Sequence, residues 1–257
     1  MSDFDAKARR ARVRLIAIGV ALGVAVTVGV VATVGAIDSD AKPPTGSPPV
    51  AASTPGKGTE TAPEQVEIFT PATAKTVTLV RPTTHTDGIG RGFKHTFHSS
   101  NAAAASYWQD ISFLDDVTAR KQWEAVVSKD SPGTVDAQIS RIRQLRESVG
   151  LPPSGAVPTG IEFTKVVKAL RAVPVPGTDA EVVEVTMIYD IYGIEPNKGA
   201  DKSPLRDQRV ELIVKWENGD WKVTEEEKYR GAARVATVFD PNSNEAFLDG
   251  WRMVNFA

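Results

Sequence analysis

Residues 15–37 form one unbroken apolar run, without a charged residue, directly after the basic stretch Lys7-Ala-Arg9-Arg10-Ala-Arg12-Val-Arg14. An α-helix rises about 1.5 Å per residue, so a membrane core needs roughly 20 apolar residues. This run is long enough, and the basic side marks the cytoplasmic end. The pattern predicts a transmembrane helix over 15–37 acting as a signal-anchor. The N-terminus is then cytoplasmic and the C-terminal domain extracytoplasmic in a single-pass protein of the cell membrane. A cleaved secretory signal is the competing reading, with Val34-Gly35-Ala36 as its cleavage site, but the apolar run exceeds the usual length of such signals.

Beyond the run, 38–65 is rich in Pro, Thr and Gly and nearly free of large apolar residues. Such a segment cannot bury enough surface to offset chain entropy, and reads as a semi-rigid spacer. Val66–Thr70 and Thr76–Val80 are short strand-like pieces, and Arg81–Arg91 reads as loop.

From about Gly92 the apolar period is helical. Ala104, Trp108, Ile111 and Leu114 mark a first helix over Asn101–Leu114, and Trp123, Val126 and Val127 a second over Val117–Ser128. The third is the clearest, with Val135, Ile139, Ile142, Leu145 and Val149 in step and Gly150 at its end. Arg141, Arg143, Arg146 and Glu147 fall on its other, solvated face. After Gly160 the period becomes 2, with strands predicted over Ile161–Val173, Ala180–Tyr192, Arg209–Trp216 and Trp221–Glu227. Asn218-Gly219 joins the last two as a tight hairpin.

The fold class expected is α+β: three N-terminal helices packed on a curved, cone-like antiparallel sheet, preceded by one transmembrane helix and a Pro-rich linker. The organisation expected is a tail (1–14), a span (15–37), a linker with short strand-like pieces (38–91), a cone domain (92–230) and a C-terminal extension (231–257). That extension ends in Trp251, Met253, Val254 and Phe256, and is expected to fold back over the cone's open end or a sheet edge.

Composition narrows the chemistry. There is no cysteine, so neither a lipid anchor on cysteine nor a disulfide framework is available. Beyond the tail the chain carries 25 basic against 30 acidic residues, the wrong sign for a nucleic-acid surface, and no direct nucleic acid binding is expected. G-x-S-x-G, Walker A and H-E-x-x-H patterns are absent from the sequence. His95 and His98 lack further ligands and read as surface or capping residues, so no metal and no cofactor is expected.

Trp216-Glu-Asn-Gly-Asp-Trp221-Lys-Val223, after a helical half, resembles the hairpin of nuclear transport factor 2-like cone domains. With the basic tail, span and linker, the layout is similar to the bitopic assembly components of type IV secretion and conjugation machines. Gly92-Phe-Lys-His95-Thr resembles a stretch of membrane-anchored proteins of actinobacterial conjugative elements, where the position of Lys94 often carries proline. The Mce-associated membrane proteins share nearly the same layout.

The resemblance implies no enzyme. It implies an envelope scaffold acting through protein–protein contacts with other subunits or itself, and touching the lipid bilayer through 15–37. Cone folds of this superfamily also include isomerases, dehydratases and ligand-binding modules. For these the candidate pocket residues are Trp108, Tyr189 and Trp216, while Asp190 alternates to the opposite face and Asp110 lies off the core stripe. Core packing accounts for most of that set. In the span, Gly19, Gly23 and Thr27 are spaced four apart and are the candidate face for self-association.

Overall fold

The computed structural model describes residues 69–159, 162–194, 204–232 and 235–257. Three short strands come first: β1 (Val77–Leu79), β2 (Thr84–Thr86) and β3 (Ile89–Arg91). Helices α1 (Phe97–Asp110), α2 (Asp116–Val126) and α3 (Gly133–Ser148) follow, then strands β4 (Glu162–Pro174), β5 (Val182–Ile194), β6 (Leu205–Glu217) and β7 (Asp220–Thr224). A 3-10 turn (Glu227–Tyr229), the short helix α4 (Asn244–Leu248) and strand β8 (Arg252–Phe256) complete the order.

The local signals act as the pattern suggests, with shifted ends. The Thr96 hydroxyl caps α1 by accepting from Ser99 N. The Asp115 carboxylate caps α2 by accepting from Val117 N and Thr118 N. These caps satisfy amides that the first turn cannot pair. Gly150 ends α3 at φ 81°, a left-handed conformation that suits glycine. Asn218 and Gly219, at φ 52° and 82°, turn β6 into β7, the two-residue geometry that matches strand twist.

The six strands β1-β8-β4-β5-β6-β7 make one sheet that curls as a half-barrel, and β2-β3 form a separate hairpin. The long meander β4–β7 is antiparallel, whereas β1 and β8 run parallel. α1 lies against the sheet through a run of small residues, Ala102–Ala105, each without exposure. Two polar stitches fix it there. The Tyr107 hydroxyl donates to Trp221 O at 2.8 Å. At the β4 bulge between Val167 and Ala169, Val167 N donates to Gln109 Oε1 at 2.8 Å.

Two expectations are corrected. Helices do not lead the fold, because three strands precede them and the fully buried Leu79 and Ile89 belong to the same core as α1. Nor is the sheet purely antiparallel, because β8 enters it between β1 and β4. Strands of three residues carry too short a pattern to register a period, which explains why they read as linker and loop.

The transmembrane helix, the signal-anchor and the single-pass membrane localisation are corrected as well. Among the described residues no helix is long and apolar enough to cross a membrane. The longest, α3, has 16 residues, about 24 Å against the roughly 30 Å of a hydrocarbon core. The span assigned to 15–37, its Gly19, Gly23 and Thr27, and the bilayer contact attached to it lie outside the described residues.

The C-terminal stretch does meet a sheet edge. Met253 and Arg252 pair with Ala169 and Leu170 of β4, while Ala236, Phe239, Ala246 and Trp251 pack on Ala169 and Ile188. That second contact covers the convex side of the sheet. It explains why Glu184, Thr186, Ile188 and Asp190, which alternate away from the helices, are buried nonetheless.

The expected solvated face of α3 also differs. Arg146 is buried and donates to the carbonyls of Leu114, Pro152 and Ala156. Beside it the buried Asp116 accepts from Arg143, Ser154 and Gly155 N. Together these two side chains tie the loop after α3 to the start of α2. Hydrogen bonds from Gly155, Arg143 and Ser154 hold the Asp116 carboxyl at about 2, against the rise that burial alone would cause.

Candidate functional site

The three aromatic residues expected to share a pocket occupy two places. Trp108, near the end of α1, meets Tyr189 of β5 edge to face, with ring centroids 5.3 Å apart at 74°. Trp216, near the end of β6, instead stacks on His95 at 4.2 Å and 3°, and meets Trp221 at 5.4 Å. His95 precedes α1 and Trp108 comes near its end. The 1.5 Å rise per residue thus puts roughly 18 Å of helix between the two clusters.

A lysine joins the first cluster. Phe163, Lys165 and Val167 share one side of β4 by alternation, and that side faces the helices. Lys165 is opposite Ile191 in the ladder, and Val167 is opposite Tyr189, which sets Lys165 diagonal to the Tyr189 ring. Its ammonium is enclosed, 4.6 Å from the Trp108 ring centroid and 5.7 Å from that of Phe113. It donates to Ile111 O at 2.6 Å.

Burial pushes the Lys165 amine down to about 7, with only the nearby Asp110 charge opposing. The nearer oxygen of that carboxylate is already engaged, accepting from Gly90 N at 3.1 Å and the Ser106 hydroxyl at 2.9 Å. Burial also raises the Tyr189 phenol to about 12, against a lowering influence from Trp108. The indole Nε1–H of Trp108 is buried and makes no hydrogen bond of normal geometry. The arrangement sets an amine near neutrality in an aromatic enclosure beside an unpaired N–H and a phenol. Sequence reasoning passed over Lys165 because a lysine in a strand reads as solvent-facing. Its register with Val167 was the available signal.

The second cluster is exterior. His95 Nε2 lies 2.8 Å from Glu181 Oε1, both side chains about half exposed. The Trp221 indole donates to Lys94 O at 3.0 Å, fixing the backbone just before His95. His95 is thus held on the surface by a ring and a carboxylate. His98 and His85 are exposed elsewhere on the surface.

The convex side carries further buried charge. Asp190 accepts from Lys168 at 2.8 Å and from Asp207 N at 2.9 Å; hydrogen bonds hold it below the usual carboxylate range. Arg171 pairs with Asp249 at 3.0 Å. Glu184 is pushed up to about 7, by burial first and by Glu211 second. Over this layer, Val235, Val238 and Leu248 point outward with 82, 82 and 61% exposure.

Compared with family models, with curated proteins and with solved structures, the chain matches none.

Proposed function

We propose that this chain is an assembly subunit that acts through protein–protein contacts, with other subunits of a larger complex or with copies of itself. The observation that carries the reading is the outward face of the C-terminal stretch. Its inward residues Ala236, Ala246 and Trp251 close the convex side of the sheet, while Val235, Val238 and Leu248 are left in water. Burying one such side chain is worth about 1.5–3 kcal/mol, so a short stretch carrying three offers a contact surface. On the concave side, helices and sheet fill the space between them with their own side chains. Tyr107, Val185, Met187 and Trp221 all lie at zero exposure there.

A conjugation apparatus of the type IV secretion kind is the assembly that the sequence resemblance points to. The test is affinity capture of the tagged full chain from its host after cross-linking. Val235→Asp combined with Val238→Asp is expected to lower recovery of the partner about tenfold or more, because two buried methyl-bearing anchors are replaced by charge. Thermal unfolding should stay unchanged, since both side chains are exposed. Equal recovery with the double variant would sink the reading.

A further inference from the structure

Three cationic side chains are buried among the described residues: Arg146, Lys165 and Arg171. The two guanidinium groups cannot lose their proton, and each is matched, Arg146 by three carbonyls and Arg171 by Asp249. Lys165 is matched by one neutral acceptor, Ile111 O. No carboxylate forms an ion pair with it among the described residues. A neutral amine satisfies that carbonyl with one N–H and keeps its lone pair.

Two donors in the same enclosure have no acceptor. One is Trp108 Nε1–H, on the ring over which the Lys165 nitrogen sits. The other is the Tyr189 hydroxyl, on the ring that meets Trp108 edge to face. It bonds to no group among the described residues. A nucleophilic nitrogen beside two unpaired donors, walled by aromatic rings, fits a compound with an electrophilic carbonyl carbon, a single oxygen and an apolar remainder.

We propose that Lys165 is a covalent capture site for small apolar aldehydes, with Trp108 Nε1–H and the Tyr189 hydroxyl directed at the carbonyl oxygen. The lone pair forms an N–C bond to the carbonyl carbon as the C–O π pair moves to oxygen, giving a carbinolamine once a proton passes from nitrogen to oxygen. The C–O bond then breaks and the oxygen leaves as water, taking the second nitrogen proton with it. The amine and aldehyde thus yield imine and water, without oxidant or reductant. Protonated, the imine keeps one N–H for Ile111 O and lays its positive charge over the Trp108 and Phe113 rings, as the ammonium does now. A carboxylate-bearing carbonyl compound would bring a charge that no group in the enclosure matches. The site is independent of the assembly role, which rests on a different face.

The test is reductive trapping. The full native chain is treated with butanal and sodium cyanoborohydride near pH 7, and the adducts are located by peptide mass mapping. With its amine near half-neutral, Lys165 is expected to label at least about tenfold faster than the exposed Lys75, Lys94, Lys121 and Lys129, whose neutral fraction at that pH is on the order of one in a thousand. Trp108→Phe and Tyr189→Phe keep the rings and remove the donors, and each should slow labelling at Lys165 several-fold without slowing the surface lysines. Lys165→Met should remove the fast adduct. Labelling of Lys165 at or below the surface rate, or only after unfolding, overturns the capture site. Unchanged rates in both donor variants would overturn the placement of the oxygen.

Discussion

At the scale of single residues, Lys165 and Glu184 are each placed where burial opposes the charge the free side chain would carry at neutral pH. Their effects on stability have opposite signs. Lys165 titrates at about 7 in the fold and ordinarily at 10.5. Between these values the unfolded chain holds the proton and the folded chain does not, so stability rises with pH, and the cost is fully present below about 7. Glu184 titrates at about 7 in the fold and ordinarily at 4.5. Here the folded chain holds the proton, so stability falls as pH rises from 4.5 to 7, and the cost is fully present above that. One proton contributes at most about 1.4 kcal/mol per pH unit. Urea unfolding at pH 5, 7 and 9 should therefore show Glu184→Gln losing much of the fall between 5 and 7. Lys165→Met should lose much of the rise between 7 and 9. Slopes identical to the parent chain in both variants would remove this assignment of the buried charges.

At the scale of elements, the hairpin β2-β3 is fixed to α1 by a close approach that only glycine permits. A Cβ on Gly90 would stand 2.6 Å from Ser106 Oγ and 2.7 Å from Pro82 Cγ. The serine is itself held by Asp110 at 2.9 Å. Gly90→Ala should cost about 1–3 kcal/mol by overpacking, read as a lowered denaturation midpoint. A variant as stable as the parent would mean the hairpin yields freely. The same region shows where the sequence was legible and where it was not. Long elements declared themselves: the five-residue apolar stripe of α3, the alternation along β5 and β6, and the Asn218-Gly219 turn all hold a period or a fixed turn chemistry over enough positions. β1, β2 and β3 do not, since three residues define no period. Lys165 and Arg146 were misread for a different reason. Their burial depends on acceptors supplied by distant backbone, Ile111 O for one and Leu114, Pro152 and Ala156 for the other. No local pattern encodes those partners.

At the scale of the whole molecule, the described body has a layer on each side of its sheet. Three helices fill the concave side, and the C-terminal stretch closes the convex side before β8 enters the sheet. Closing both sides buries the polar alternates of β5 and turns the remaining apolar surface outward, onto Val235, Val238 and Leu248. If contact with other proteins is the role of this body, those positions lie at or near the interface. A photo-reactive amino acid placed singly at Val235, Val238 and Leu248 in the full chain, with exposed Glu147 of α3 as the control, tests this directly in the host cell. The account predicts discrete cross-linked adducts of defined mass from the three C-terminal positions and none from position 147. Adducts no stronger at 235, 238 and 248 than at 147 would contradict it.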